Sequence, residues 1–334
     1  MARFRPSPYL GSHMARIVLK RLAQGLFIVW LTTTITFFLV HAAPGEPFAE
    51  MLTDPRMTNE MREANRARYG LDQPVFAQYL QYVRSVAGGD FGHSFTHQRP
   101  VMSVLADALP RTLLLMGTAI IIGFAAGILL GTLQGARVGG WFDRITGSVA
   151  VLFTALPDFW LALLAVMVFA GTWLPVSGFS TPTLSPTASV VTRGSDVLRH
   201  LVLPAGTLAI LISAMVSRYQ RAALIDVLPS PWLRTARAKG LSRRPVVFRH
   251  ALRNALLPII TLAGLSMPAL LGGAVFIEVT FSWQGMGSLA VQAVADRDYP
   301  VVLAAVILSS TMVVVGAALA DLAHAAVNPR QRRA

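Results

Sequence analysis

Long apolar runs alternate with shorter polar segments along most of the chain, and this pattern predicts membrane-spanning helices. The run Ile17–Val40 is long enough to cross a hydrocarbon layer of about 30 Å. Further apolar runs follow at Leu109–Leu133, Ile145–Trp173, His200–Val216, Ala255–Val279 and Val301–Ala325. We therefore expect an all-α, polytopic membrane protein with six transmembrane helices.

Two of these runs contain residues that bend helices. Pro157 precedes Asp158 inside the third run, so we expect a kink there because proline cannot donate a helical hydrogen bond. The fifth run carries Pro268 and the pair Gly272-Gly273, which allow a bend and a close approach of another helix.

The same pattern divides the chain into segments. Residues 1–16 form a basic tail, 17–40 the first transmembrane helix, 41–108 a polar loop with short helices, 109–327 a region with the other five helices, and 328–334 a second tail. In the loop, one helix is predicted from Thr58 to Gly70. A second, amphipathic helix is predicted over 73–87, with Phe76, Tyr79, Leu80 and Val83 on one face. A secretory signal is the alternative for the first run, but the run is longer than a typical signal core.

Composition agrees with a membrane protein and excludes several chemistries. The chain is 54% hydrophobic and 13% charged. It has no cysteine, which excludes disulfides, thiolate metal sites and cysteine nucleophiles. It also lacks a GxxxxGK[ST] phosphate-binding loop, so it has no visible means of binding ATP by itself.

The distribution of positive charge predicts the orientation in the membrane. The net charge is +13, and most of the 29 Lys and Arg residues fall in the two tails, in the loop 135–144 and between Arg218 and Arg253. Basic residues concentrate on the cytoplasmic side of membrane proteins. We therefore expect a multi-pass protein of a bacterial or archaeal cytoplasmic membrane with both termini inside and the loop 41–108 outside. The position of the basic residues beside membrane lipid then accounts for the high net charge, and no nucleic-acid partner is expected.

The stretch Leu228–Pro258 predicts a basic, polar elbow between two spans, with its core at residues 228–254. Ser230 is suited to cap a first short helix, with Pro231 at its first position. Gly240 would end that helix in a left-handed conformation, and Ser242 would cap a second helix. This shape suits a docking surface for a partner.

The first elbow helix supplies the candidate docking residues. Trp232, Leu233 and Ala236 are predicted to share one narrow face, and Arg237 and Lys239 lie in the last turn, where cations suit the helix dipole. The candidate set is Trp232, Leu233, Arg234, Thr235, Ala236, Arg237, Lys239 and Gly240. On these residues alone, a basic helix lying on anionic lipid is an equally good interpretation.

The elbow sequence also resembles a known family. The string RTARAKGLS, followed by FRHALRNALLP, resembles the "EAA" loop of ABC-importer permeases of the dipeptide/oligopeptide/nickel family, although Arg234 and Thr235 stand where the general motif has Glu and Ala. Segments at Gly89–Ser94, Glu278–Gly287 and Arg297–Pro300 resemble the same family.

This resemblance implies a type I ABC-importer membrane domain that works by alternating access. The chain would form half of a channel with a second, related permease as a heterodimer. Two cytoplasmic ATPase subunits would bind ATP and Mg and receive the elbow in a cleft, and an extracytoplasmic binding protein would deliver a peptide or a related small solute. The chain itself would not be an enzyme and would hold no cofactor, metal or catalytic residue.

Other polar residues are weaker candidates. Asp158 could line the translocation pathway, binding a substrate amino group or relaying a proton, or it could be structural. Glu278 is more simply a solvated carboxylate at a helix end, and Glu278, Trp283, Gly285 and Gly287 are candidates for an outer gate. Gln284 stands there where the family often has Pro. His93 and His97 suit a surface loop better than a metal site.

Two rival functions remain from the residues alone. One is a proton-coupled secondary transporter that uses Asp158, and a more distant one is a polytopic membrane enzyme. The spans show no nucleophile with a base beside it. The elbow argues against both rivals, because neither needs a docking surface of this shape.

Overall fold

A computed structural model of the chain describes residues 9–43, 72–185, 187–272 and 274–327. The helix predicted from Thr58 to Gly70 and the tail 328–334 lie outside the described residues, as do the first eight residues of the other tail. Within the described ranges the chain is almost entirely helical, and an isolated bridge between His93 and Pro100 is the one piece of β pairing. The all-α prediction is confirmed.

The helices follow one another with short connections. They are α1 (Tyr9–Ala42), α2 (Val75–Ala87), α3 (Val101–Ala136), α4 (Trp141–Ala155), α5 (Asp158–Phe169), α6 (Val190–Val227), α7 (Pro231–Ala238), α8 (Arg243–Ala255), α9 (Leu257–Gly272), α10 (Val275–Thr280), α11 (Met286–Ala295) and α12 (Tyr299–Val327). Residues 246–251 of α8 are wound as a π-helix.

Four of these helices, α1, α3, α6 and α12, are long and apolar enough to cross a membrane. Two bent pairs, α4 with α5 and α8 with α9, raise the number to six if each pair counts as one span. The long helices extend beyond the apolar runs that predicted them, because a helix continues past the hydrocarbon layer wherever its polar ends can be solvated.

The third and the fifth apolar runs are both bent. The predicted kink at Pro157 is present as a full break, with α4 and α5 at 106° to each other. The fifth run is bent by 47° between α8 and α9, just before Pro258. Helix α9 continues through Pro268 and ends at Gly272, the first residue of the glycine pair that was predicted to allow a bend. A proline removes the hydrogen bond to the residue four positions before it, which favours a bend on its N-terminal side.

The chain forms two compact units. The first contains Met1–Leu105 and Gln292–Ala318. In it, α1 lies close to α12, because Gly25 leaves room for Val314 and the hydroxyl of Thr32 lies 3.1 Å from that of Ser310. Small residues and hydroxyl pairs of this kind let membrane helices approach each other closely.

Helix α2 packs on α1 in the same unit. The Tyr79 hydroxyl accepts a hydrogen bond from Trp30 Nε1 at 3.1 Å and lies 2.8 Å from Thr34 Oγ1. The predicted apolar face of α2 is only half right. Tyr79 is buried against Phe37 and Leu303, whereas Phe76 and Leu80 remain 64% and 54% exposed.

The second unit contains Ala106–Val291 and Leu319–Ala334. Its main feature is the contact between α3 and α6, which uses glycines four residues apart on α3: Gly123, Gly127, Gly131 and Gly135. A Cβ atom added at Gly127 would lie 2.6 Å from the Val216 Cβ, and one added at Gly131 would overlap the Ser217 carbonyl oxygen. The backbone of α3 therefore lies directly against α6 along this line, and an added Cβ would clash at Gly123, Gly127 and Gly131.

We predict that Gly131→Ala destabilises the protein by about 1–3 kcal/mol, because the Cβ would force the backbones of α3 and α6 apart. The matched control is Gly117→Ala on the same helix, where an added Cβ meets open space. Thermal denaturation of the purified protein in lipid nanodiscs measures the difference. Equal melting temperatures for the two variants would contradict the close contact.

Candidate functional site

Helix α7 of the elbow is anchored within the second unit by one buried side chain. Leu233, in the middle of α7, is fully buried in a cluster that joins α6, α7 and α8, whose other buried members are Leu224, Val246, Val247, Ala251 and Ala255. Burying a leucine from α7 between two other helices fixes the position of this short helix, which has little stability of its own. The buried cluster therefore connects α7 directly to α6 and α8.

The opposite side of α7 is free in this chain. Trp232 is 43% exposed, and Arg234, Thr235, Arg237 and Lys239 are also exposed. Two apolar side chains beyond α7, Leu241 and Phe248, are exposed to a similar degree. This side of α7 thus combines an exposed indole ring with cations.

The prediction that Trp232 and Leu233 share a face is wrong. Consecutive residues of a helix point about 100° apart. Leu233 points into the buried cluster, with half-buried Ala236 beside it, and Trp232 points away. Leu233 therefore cannot contact a partner while the elbow keeps this structure.

Gly240 ends α7 in the left-handed conformation that the sequence predicted, with φ of +83°. Its N–H donates to the Arg237 carbonyl at 2.9 Å, and the Leu241 N–H donates to the Ala236 carbonyl at 3.4 Å. This pair of bonds is the Schellman motif. Ser230 and Ser242 hold the N-cap positions, but neither side chain makes a capping hydrogen bond.

Polar contacts tie the base of the elbow to the neighbouring helix ends. Arg221 of α6 binds Asp143 of α4 through two hydrogen bonds of 2.6 and 2.9 Å, and the Gly139 N–H donates to the same carboxylate at 2.8 Å. Arg243 of α8 donates to the carbonyl of Ala136, the last residue of α3. Bidentate arginine–carboxylate pairs fix geometry as well as adding stability. The elbow and the ends of α3, α4 and α6 thus form one connected block.

Asp158 lies at the first position of α5, directly after the break from α4. It is half-buried, and its carboxylate accepts a hydrogen bond from the Phe159 N–H at 2.8 Å. A carboxylate at a helix N-terminus is stabilised by the helix dipole. This hydrogen bond gives Asp158 a structural role at the start of α5. It is compatible with both hypotheses made from the sequence, a residue of the translocation pathway or a purely structural one.

Glu278 is fully buried, so the expectation of a solvated carboxylate is wrong. One carboxylate oxygen accepts the Thr112 hydroxyl at 2.7 Å, and the other accepts the Ser288 N–H at 2.9 Å. The same Thr112 hydroxyl accepts the Met286 N–H at 2.7 Å. Glu278 and Thr112 together therefore cap the N-terminus of α11, where the first N–H groups have no partner in the helix.

The glycines near Glu278 are required by this arrangement. An added Cβ at Gly285 would lie 2.6 Å from the Glu278 carboxyl carbon, and one at Gly287 would lie 2.9 Å from the Val275 Cα. Trp283 is also fully buried, and its indole N–H donates to the Arg111 carbonyl at 3.0 Å. These residues form one packed corner, which we call the Glu278 corner.

Gln284 has a specific partner in the Glu278 corner. Its side-chain oxygen accepts a hydrogen bond from Arg111 at 2.5 Å, and the Arg111 guanidinium lies 4.8 Å from the centre of the Phe179 ring. Phe179 in turn packs against the edge of Trp283 at 5.0 Å. The Gln284 side chain thus supplies a hydrogen-bond acceptor for Arg111 at a position where the family often has proline.

Sequence reasoning missed the buried carboxylate of Asp298, in the first unit. Asp298 accepts the Ser94 hydroxyl at 2.5 Å and the N–H groups of Phe95 and Thr96 at 3.1 Å each. The sequence offered one signal for this contact. The segments Gly89–Ser94 and Arg297–Pro300, which contain Ser94 and Asp298, both resemble the same family. His93 and His97 of this loop are exposed, and the described residues contain no group of three side chains able to hold a metal.

The fold and the elbow define a multi-pass, all-α membrane protein with a basic helix–glycine–helix elbow between two spans. Two family profiles match it. One, for the binding-protein-dependent transport system inner membrane component, covers residues 123–333, and one for the N-terminal part of such membrane components covers residues 14–116.

Individual relatives match over almost their whole length. The oligopeptide transport system permease protein AppB of Bacillus subtilis (strain 168) is 37% identical over 320 residues, which are 95% of this chain and 99% of AppB. The glutathione transport system permease protein GsiC of Escherichia coli (strain K12) is 36% identical over 325 residues, covering 96% and 99%.

The chain belongs to the family of binding-protein-dependent transport system inner membrane components. It is a permease subunit of an ABC importer, with the type I membrane domain of that class. The resemblance predicted from the elbow is confirmed. The family assignment displaces the proton-coupled secondary transporter and the membrane enzyme as alternatives.

We predict that Glu278→Gln destabilises the folded protein by about 1–3 kcal/mol, because the new amide would direct an N–H group toward either the Ser288 N–H or the Thr112 hydroxyl. Asp226→Asn, at an exposed carboxylate of the same unit, is the control. Thermal denaturation in nanodiscs compares both variants with the unmodified chain. If Glu278→Gln melts like the control, the carboxylate does not hold the corner together.

Proposed function

We propose that this chain is one half of the channel of an importer for peptides or similar small solutes, and that it is driven by ATP bound to separate subunits. The functions named for the relatives, oligopeptide transport for AppB and glutathione transport for GsiC, support this substrate class. The observation that carries the proposal is the division of α7 into buried Leu233 and exposed Trp232 with its neighbouring cations.

The proposed partners are a second, related permease, two cytoplasmic ATPase subunits that hold ATP and Mg, and an extracytoplasmic binding protein. A binding protein is implied by the family description. The ATPase contact is supported by the exposed face of α7, since an aromatic side chain that fills a partner's pocket often dominates an interface. The cations around Trp232 are proposed to set orientation and association rate more than affinity.

The proposed mechanism is mechanical coupling through Leu233. Closure of the ATPases on ATP would move α7 through Trp232, and Leu233 would carry the movement into α6 and α8 through the buried cluster. The Arg221–Asp143 and Arg243–Ala136 contacts would carry it into α4 and α3. Because tightly packed interiors transmit displacement rather than absorbing it, the spans would move with the elbow and open the cavity alternately to each side.

For the elbow, we predict that Trp232→Ala leaves the chain folded and inserted but abolishes stable co-purification of the ATPase subunits or the stimulation of ATP hydrolysis by the binding protein. The side chain is exposed in this chain, so its loss creates no cavity. Trp173→Ala, at a tryptophan that is 77% exposed, is the matched control. Leu233→Ala should instead lower the melting temperature, since deleting a buried leucine costs about 2–5 kcal/mol.

Gly240 offers a second pair of variants for the same test. An added Cβ meets open space there, so the strain comes from the positive φ alone. Gly240→Asn should keep coupling, because asparagine tolerates this conformation, whereas Gly240→Val should lose it. Unchanged ATPase association and stimulation in both Trp232→Ala and Gly240→Val would leave α7 as a membrane-surface helix.

The orientation proposal places the elbow inside the cell and the loop after α1 outside. It rests on the basic residues of the elbow and tails. We predict that a membrane-impermeant thiol reagent labels a His97→Cys variant in intact cells and leaves a Ser242→Cys variant unlabelled until the cells are opened. Both positions are exposed, and the chain has no other cysteine, whereas Ser94 in the same loop is fully buried and unsuitable. The reverse labelling pattern would invert the assignment.

Asp158 is retained as a proposed pathway residue because it lies at a helix break in an otherwise apolar region. We predict that Asp158→Asn lowers the rate of substrate uptake while ATPase subunits still co-purify. Uptake by proteoliposomes is the measurement. An uptake rate equal to that of the unmodified transporter at every substrate concentration would assign Asp158 a structural role only.

A further inference from the structure

The first unit contains a cavity of about 200 Å³. It lies among the C-terminal end of α1, one side of α2, residues 90–95 and the start of α12. Its volume is in the range that a small polar molecule or a lipid headgroup can fill. All of its lining residues that the structure describes belong to this one unit.

The cavity is lined by aromatic rings, a single carboxylate and the imidazole rings of His41 and His93. Phe37, Tyr82, Phe91 and Tyr299 contribute rings, and Asp90 contributes the negative charge. Among the described lining residues there is no lysine or arginine, although the chain as a whole has a net charge of +13. Aromatic faces beside a carboxylate attract cations, and ammonium groups in particular.

Tyr82 adds an unused hydrogen-bonding group. Its hydroxyl is buried and has no hydrogen-bond partner within the part of the chain that the structure describes. Burial raises the pKa of Tyr82, so the phenol stays protonated and can donate a hydrogen bond. The nearby Tyr79 differs, because its hydroxyl contacts both Trp30 and Thr34. An unpaired buried hydroxyl is destabilising unless something binds to it.

Asp90 is presented by a tight turn. Its Oδ1 atom accepts the Gly92 N–H at 2.9 Å, and the side chain remains exposed. The turn fixes the carboxylate at the cavity, where the described lining residues include no lysine or arginine to neutralise its charge.

We propose that this cavity binds a zwitterionic ligand whose ammonium group contacts Asp90 and the aromatic rings and whose neighbouring oxygen accepts a hydrogen bond from Tyr82. Two sources share this chemistry, the phosphoethanolamine headgroup of a membrane lipid and the amino-terminal end of a free peptide. The cavity lies where the apolar part of α1 ends at Ala42 and that of α12 begins at Tyr299, which is the level of lipid headgroups.

The test compares lipid compositions using the intact permease with its partner subunits. The complex is placed in nanodiscs of phosphatidylglycerol, with or without phosphatidylethanolamine, and its melting temperature is measured. Soluble phosphoethanolamine and alanyl-alanine are then titrated into the phosphatidylglycerol discs. A rise with phosphatidylethanolamine alone identifies the lipid as the source, and a rise with a soluble compound identifies a free ligand. No rise in any arm overturns the proposal.

Substitutions decide whether a rise comes from this cavity. Asp90→Asn keeps an oxygen for the Gly92 N–H but removes the charge, so half-saturation should require about tenfold more ligand. Tyr82→Phe should melt at or above the temperature of the unmodified chain without ligand and should show a smaller rise with it. Tyr79→Phe is the control, which should lose stability equally in both conditions.

An undiminished rise in both Asp90→Asn and Tyr82→Phe would place the ligand elsewhere and overturn the proposal. This result would leave the proposed transport function untouched.

Discussion

The contact between α3 and α6 is the constraint on which the second unit depends. Four glycines spaced one turn apart leave α3 without side chains on the line of contact, so its backbone lies directly against the side chains and carbonyl groups of α6. The same helix α3 contributes Thr112 to the Glu278 corner near one end and the Ala136 carbonyl to the elbow at the other. About 24 residues separate these two points, which is roughly 36 Å along a helix. Helix α3 thus connects the Glu278 corner with the elbow.

The hydrogen-bonded carboxylates show how polar groups are placed in a chain that is otherwise largely apolar. Glu278, Asp298 and Asp143 are all buried, and each receives hydrogen bonds from hydroxyl, backbone or guanidinium donors. In every case the carboxylate joins segments that are distant in sequence. A buried charge is tolerated only when it has such hydrogen-bond partners. Each of these carboxylates therefore allows few alternative arrangements of the backbone around it. The apolar surfaces alone would leave more freedom in helix position.

The sequence predicted the existence of the helices better than their ends or their buried faces. Apolar runs mark the hydrocarbon-crossing part of a helix, so α3 and α6 were expected to be shorter than they are. Gly240 was predicted correctly because the left-handed turn after a helix is a local requirement. Trp232 and Leu233 could not be separated, since both are apolar and only the position of α6 and α8 decides which one is buried. The partners of Glu278 and Asp298 lie 166 and 204 residues away, and no local pattern reveals them.

The break between α4 and α5 has a consequence for water inside the membrane. At a break of 106°, the last carbonyl groups of α4 lose the N–H partners that a continuous helix would supply. Lipid tails offer no hydrogen bonds, so these groups must be met by protein or by water. The first N–H groups of α5 already have acceptors, because the Asp158 carboxylate accepts the Phe159 N–H and the Pro157 carbonyl accepts those of Trp160 and Leu161. The requirement therefore falls on the carbonyl end of α4, and a water-filled passage that borders this point would meet it without any further change in the fold.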